Sequence, residues 1–216
     1  MRSVTSDHYF SAEPSAPARR RQITFDVAGR GYRLSTAAGV FSAERLDAGT
    51  AVLLRKATLP GPGTTGALLD LGCGYGAITA VLASRAPYAT VYAVDVNTRA
   101  LDLVRENATA LEIADRVVAA TPDEVPDGTR FAQIWSNPPI RVGKEELHGL
   151  LRRWLPRLEP DGTAWLVVAR HLGADSLQAW LTAQGWPAQR HASQKGYRVL
   201  SVRNTGDAST RPAENP

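Results

Sequence analysis

Apolar and polar positions follow two rhythms along this chain. Residues 22–27 (Gln-Ile-Thr-Phe-Asp-Val) and 32–36 (Tyr-Arg-Leu-Ser-Thr) alternate with a period near two around Ala28-Gly29-Arg30-Gly31. That pattern predicts a β-hairpin. From Leu68 onward, short apolar runs alternate with longer segments whose apolar residues recur at helical spacing. The runs predict strands at 68–71, 90–95, 116–120, 131–136 and 163–169, with closing strands at 190–192 and 197–202. The segments between predict helices at 77–85, 98–111, 144–158 and 176–183. A further helix over 51–57 starts from Asp47-Ala48-Gly49-Thr50, and Asn97 stands where the helix at 98 needs an N-cap. Strand and helix in alternation predict an α/β fold, a doubly wound parallel sheet covered on both faces.

The boundaries follow from composition. Residues 1–60 read as an N-terminal extension and hairpin packed on the core, 61–203 as the main domain and 204–216 as a loose polar tail. Residues 11–21 are rich in Pro, Ala and Arg. In parallel sheets ligands gather beyond the carboxyl ends of the strands. Asp70, Asp95 and Asn137 all fall at such ends and are expected to face one crevice.

Candidate chemistry concentrates at those ends. The stretch Leu68-Leu69-Asp70-Leu71-Gly72-Cys73-Gly74-Tyr75-Gly76 runs from a strand through a glycine turn into a helix N-terminus. Its glycines let the backbone approach a ligand, and the helix start offers free N–H groups. The Gly-x-Gly-x-Gly spacing differs from the Gly-x-Gly-x-x-Gly of dinucleotide sites. Asp95, nineteen positions beyond Gly76, is placed to accept hydrogen bonds from both hydroxyls of a ribose. Asn137-Pro138-Pro139-Ile140 follows the fourth strand, and its prolines fix φ and hold the preceding residue extended. The Asn137 carboxamide oxygen and the Pro138 carbonyl can then accept from an amine N–H and orient its lone pair.

Composition narrows the classes. The 216 residues are 44% hydrophobic, enough for one sizeable core, yet contain no apolar run of the ~18 residues that a membrane span requires. With no apolar leader near Met1, the expected location is cytoplasmic. Cys73, the single cysteine, excludes an internal disulfide and a cysteine zinc cluster, and His8, His148, His171 and His191 are dispersed, so no metal site is expected. His148 reads as a packed or surface residue. Trp186, between Gly185 and Pro187, is the tryptophan expected to be most exposed. The net charge of +4 is mildly basic, compatible with an RNA partner but also with none.

Together Asp70-Leu71-Gly72-Cys73-Gly74-Tyr75-Gly76, Asp95 and Asn137-Pro138-Pro139-Ile140 resemble the motifs of class I S-adenosylmethionine-dependent methyltransferases. More narrowly, the chain resembles the small-domain, RsmC-like rRNA guanine-N2 methyltransferases, and is closest to their single-domain members. The likeness spans about residues 7–203, including Asp7-His8-Tyr9-Phe10, Gly39-Val40-Phe41-Ser42, Asp47-Ala48-Gly49-Thr50, Arg141-Val142-Gly143-Lys144-Glu145 and Gly196-Tyr197-Arg198. It implies a Rossmann-like, seven-stranded methyltransferase sheet with S-adenosyl-L-methionine as cofactor. It also implies that Asp70 to Gly76 hold the methionine end of the cofactor, with Gly72 and Gly74 between them. Asp95 and Val96 would hold the ribose side, and Phe41 and Thr50 the entrance. Thr121 stands where relatives often carry an acidic residue toward adenine, and Ile140 where many carry an aromatic. The implied catalytic group is Asn137, Pro138, Pro139 and Ile140, and the implied partner is ribosomal RNA or the small ribosomal subunit. Alternatives are an N-methyltransferase acting on a protein glutamine amide or a small-molecule amine, or a non-catalytic cofactor- or RNA-binding protein.

Overall fold

The computed structural model describes residues 20–138 and 143–204. Strands β1 (Arg20–Val27) and β2 (Arg30–Ala37) form the antiparallel hairpin. Helix α1 (Ala48–Lys56) follows, then β3 (Thr65–Leu71), α2 (Ala77–Arg85), β4 (Tyr88–Val94), α3 (Thr98–Ala110) and β5 (Val117–Ala120). The second half runs β6 (Phe131–Ser136), α4 (Lys144–Trp154), β7 (Leu158–Ala169), α5 (Ala174–Ala183), β8 (Ala188–Gln194) and β9 (Tyr197–Arg203).

The main sheet has seven strands in the order β5-β4-β3-β6-β7-β9-β8. It is not wholly parallel. β9 runs antiparallel to both β7 and β8, because the two-residue turn Lys195-Gly196 joins β8 to β9 directly and leaves no crossover helix. The chain order reverses between β3 and β6, which opens a crevice there at the carboxyl ends of the strands.

Strand alternation sends successive side chains to opposite faces. Leu68, Trp135, Val167 and Val199 meet α1, α2, α3 and the hairpin residues Ile23, Tyr32 and Leu34 in one core. Leu69, Ile134, Leu166 and Leu200 meet α4 and α5 in the other. The hairpin is thus part of the larger core. Asn107, buried in the last turn of α3, also ties it down. Its Nδ2 donates to the carbonyls of Ser35 and Tyr75 at 2.9 Å each, and its Oδ1 accepts from the Ser35 N–H at 2.7 Å.

Three local expectations give way to packing. The helix expected to reach 158 stops at Trp154, because Pro156 has no N–H and its ring would clash with the preceding turn. The chain tightens into a 3-10 turn over Leu155–Arg157 and enters β7 earlier than expected, with a register shift where Asp161 takes φ 63°. Trp186 is buried, not exposed. Gly185 in the left-handed region turns the chain so that the Trp186 N–H donates to Leu181 O, which folds the indole onto Leu177 and Leu181. His148 is partly exposed and stacks face to face on Trp180 at 3.7 Å, with Arg152 over the same indole, and burial lowers its pKa. At the outer edge of the sheet, Arg105 Nη2 donates to Ala119 O of β5 at 2.9 Å. Among the described residues no helix is long and apolar enough to cross a membrane.

Candidate active site

The crevice between β3 and β6 is a cavity of about 370 Å³, within the range of small-molecule sites. Strand ends build its floor, for Leu71, Val94, Asn137 and Ala169 each stand at or just past the end of a strand.

One half is made by the glycine turn. Gly72, Gly74 and Gly76 take φ values of 74°, 53° and 88°. The N–H groups of Gly72 and Cys73 both donate to Val94 O, which pins the turn to β4. A Cβ at Gly72 or Gly74 would stand in open space, and both residues line the cavity, so the backbone itself forms the wall. Gly76 lies behind that wall. It precedes α2, and a Cβ there would come 3.1 Å from Val104 Cγ2.

Asp95 lines the same half. Its Oδ2 accepts from the Gly74 N–H and its Oδ1 from the Asn97 N–H, each at 2.9 Å. Burial raises its pKa while these N–H groups pull it down. A carboxylate offers about four acceptor positions, more than the backbone N–H groups of Gly74, Asn97 and Val96 fill, so acceptor capacity remains. Val96 is 45% exposed and Phe41 38% exposed, an apolar pair at the rim with Pro122 and Val40 nearby on the wall. The segment carrying Val40 and Phe41 is held by α3, where Asn97 Nδ2 donates to Gly39 O and Arg99 Nη1 to Ala38 O, each at 3.0 Å.

The other half centres on Asn137. Its Nδ2 donates to Asp47 Oδ1 at 2.7 Å and to Thr50 Oγ1 at 3.0 Å. Asp47, Pro138, Leu150, His171, Leu172 and Tyr197 complete this side.

Not every residue singled out from the sequence reaches the cavity. Asp95, Val96, Phe41, Gly72, Gly74, Asn137 and Pro138 line it together. Asp70 does not share that crevice. It is fully buried, with Oδ2 accepting from the Thr79 N–H at 2.8 Å and Thr79 Oγ1 at 2.6 Å, and burial raises its pKa to about 7. Thr50 is buried behind Asn137. At the third strand end Pro122, not Thr121, lines the wall, and the Thr121 N–H donates to Glu124 Oε2 at 2.7 Å. Pro139 and Ile140 lie outside the described residues. Sequence reasoning assigned no site role to Asp47, Tyr197 or His171. His171 stands two positions past the end of β7, as Asn137 stands one past β6, so the strand-end rule could have found it.

Comparison with known proteins gives this geometry its context. The methyltransferase small domain family matches residues 31–201. The chain is 30% identical to YbxB of Bacillus subtilis, an uncharacterized protein, over 92% of this chain and 98% of that one. It is 32% identical to ribosomal RNA small subunit methyltransferase C of Pseudomonas aeruginosa over 90% of its own length, and spans 58% of that protein. Among solved structures, RsmC of T. thermophilus, a 16S rRNA N2 methyltransferase in complex with AdoMet and guanosine, superposes with a TM-score of 0.75 at 26% identity. The match covers 88% of this chain and 52% of that one. Glycine turn, strand-end carboxylate and Asn-Pro turn around one cavity, together with this family match, make the chain a member of the methyltransferase small domain family, an RsmC-like methyltransferase that uses S-adenosyl-L-methionine.

Proposed function

We propose that the protein methylates an exocyclic nitrogen, guanine N2 of ribosomal RNA. The observation that carries this reading is the Asn137 amide, whose two N–H groups are both engaged by Asp47 and Thr50, leaving Oδ1 as a pure acceptor at the cavity.

The residues fit the cofactor. Gly72 and Gly74 admit the methionine end where side chains would stand. Asp95 would accept from the ribose hydroxyls with its remaining acceptor capacity, and Val96, Phe41 and Pro122, which line the cavity, would hold the adenine side. Thr121, one residue behind that wall, contributes through its placement of Pro122. Asp70 and Gly76 shape the loop from beneath by fixing the first turn of α2. When bound, S-adenosyl-L-methionine supplies an electrophilic sulfonium methyl. Asn137 Oδ1 and the Pro138 carbonyl accept the two N–H bonds of the target amine and aim its lone pair, so rate comes from orientation rather than from a strong base. Pro139 and Ile140 complete the motif on the sequence side.

The RNA part of the reading rests on charge. Arg170 sits between the lining residues Ala169 and His171, and Lys195 two positions before Tyr197. Both are exposed, and the Arg170 N–H donates to Gly196 O at 2.8 Å, which ties the two cation-bearing turns together at the mouth. Such a rim favours a polyanion.

The test is methyl transfer from radiolabelled cofactor to RNA, protein and metabolite fractions of an extract, followed by nucleoside digestion. Label in N2-methylguanosine is the expected result, lost in Asn137→Ala while cofactor affinity persists. Label confined to protein would overturn the substrate and leave the amine chemistry standing.

A further inference from the structure

We infer that Asp47 is a positioning residue for the transfer, because its carboxylate fixes which end of the Asn137 carboxamide meets the target amine. The inference rests on the reading of Asn137 given above.

An amide can be turned by 180° about its terminal bond with little change in shape, so something must select the productive orientation. Here the selection is electrostatic. Asp47 Oδ1 lies 2.7 Å from Asn137 Nδ2. The flipped side chain would set its carbonyl oxygen against an acceptor-only carboxylate, an arrangement with repulsion and no hydrogen bond. Thr50 Oγ1, 3.0 Å from the same nitrogen, can donate or accept and so cannot select by itself.

Asp47 is itself held. It is the N-cap of α1, and the same Oδ1 accepts from the Thr50 N–H at 2.9 Å. Gly49 makes room for it. A Cβ at that position would come within 3.0 Å of both Asp47 Oδ1 and Tyr197 Cε1. The start of α1, the carboxylate and the Tyr197 ring therefore close on one point beside Asn137, with Asp47 and Tyr197 both on the cavity wall.

The arrangement suits the reaction. As the amine's lone pair forms the N–C bond and the C–S pair returns to sulfur, the nitrogen becomes cationic until it releases a proton to water. Its N–H groups become stronger donors during that change. An acceptor amide backed by a carboxylate is polarised toward them, because hydrogen bonds in a chain strengthen one another.

Serine at 47 separates positioning from helix capping. Serine caps a helix as well as aspartate does, but its short side chain does not reach Asn137 Nδ2. In Asp47→Ser, kcat with cellular RNA should fall roughly ten- to hundred-fold, the value of a charge-assisted hydrogen bond, with KM and S-adenosylhomocysteine affinity changed less than about two-fold. Asp47→Asn keeps an oxygen acceptor for both donors and should recover to within about five-fold of wild type. A second readout needs no turnover. In ¹⁵N-labelled protein the Asn137 side-chain amide protons, assigned by their loss in Asn137→Ala, should exchange about ten-fold faster in Asp47→Ser. Wild-type kcat or unchanged exchange in Asp47→Ser would overturn the proposal, as would a loss matched by weaker cofactor binding. Full activity in Asn137→Ala would instead sink the reading of Asn137, while the exchange rates still judge Asp47.

Discussion

Replacing Asp70 with asparagine should remove a pH dependence from the folding equilibrium. Asp70 is fully buried at the end of β3, with one oxygen bonded twice by Thr79 and Oδ1 meeting no donor among the described residues. Desolvation outweighs the Thr79 bonds and raises its pKa from 3.8 to about 7, with the Asp95 charge adding a little. The unfolded chain therefore releases this proton near pH 4, whereas the folded chain holds it to about pH 7. Below that window the group costs nothing. Through it the folded state loses stability as pH rises, because it binds more protons than the unfolded state, and above it the penalty is constant. About three pKa steps at 1.36 kcal/mol each give a full penalty of about 4 kcal/mol, a large share of a typical domain's stability. Between pH 5 and pH 8 the wild type should thus lose about 2–3 kcal/mol relative to Asp70→Asn. The comparison is a difference, so titration of carboxylates uncoupled from Asp70 cancels, the weak coupling to Asp95 adds only a small residue, and any cost of burying an extra amide N–H is independent of pH. Urea unfolding of both proteins without cofactor at several pH values measures it. Parallel curves would show that Asp70 is ionised in the folded protein at pH 5 and would refute the argument.

Gly76→Ala should be costly in both stability and cofactor affinity. The left-handed backbone alone is worth about 1–2 kcal/mol against alanine, and the contact with Val104 adds to it, so Tm and the S-adenosylhomocysteine Kd should move together. Unchanged values would mean that the turn relaxes freely. For the rim, Arg170→Gln and Lys195→Gln should each lower the salt slope of RNA binding by about one, with cofactor affinity untouched. An unaltered slope in both would move the RNA path elsewhere.

Most of the fold was legible because its signals are local. The runs at 68–71 and 131–136 are short, apolar and bounded by turn residues, and Asn97 and Asp47 cap the helices they were expected to start. What escaped depends on neighbours distant in sequence. Nothing near Trp186 announces the α5 surface that buries it, and strand direction at β9 follows from a two-residue turn whose Lys195 adopts φ 50° against its own preference. The site divides the same way. Asp95 and Asn137 were visible as strand-end residues beside turns. The pairing of Asp47 with Asn137 spans ninety positions and exists only once the fold brings the N-cap of α1 to the residue that follows β6.

The Arg105 contact at β5 bears on how this molecule behaves in a crowd. β5 is only four residues long and ends the sheet, with Val118 39% exposed, so it offers a template to any unpaired strand that passes. Ala120 O faces inward, where it accepts from the Asp95 N–H, so Ala119 O faces out, and the Arg105 guanidinium occupies it. An incoming strand must first displace a cation and then fit a partner too short to hold it. The β5 edge, three strands away from β6 and the Asn137 half of the cavity, is thus guarded against growth, which favours a chain that stays dispersed.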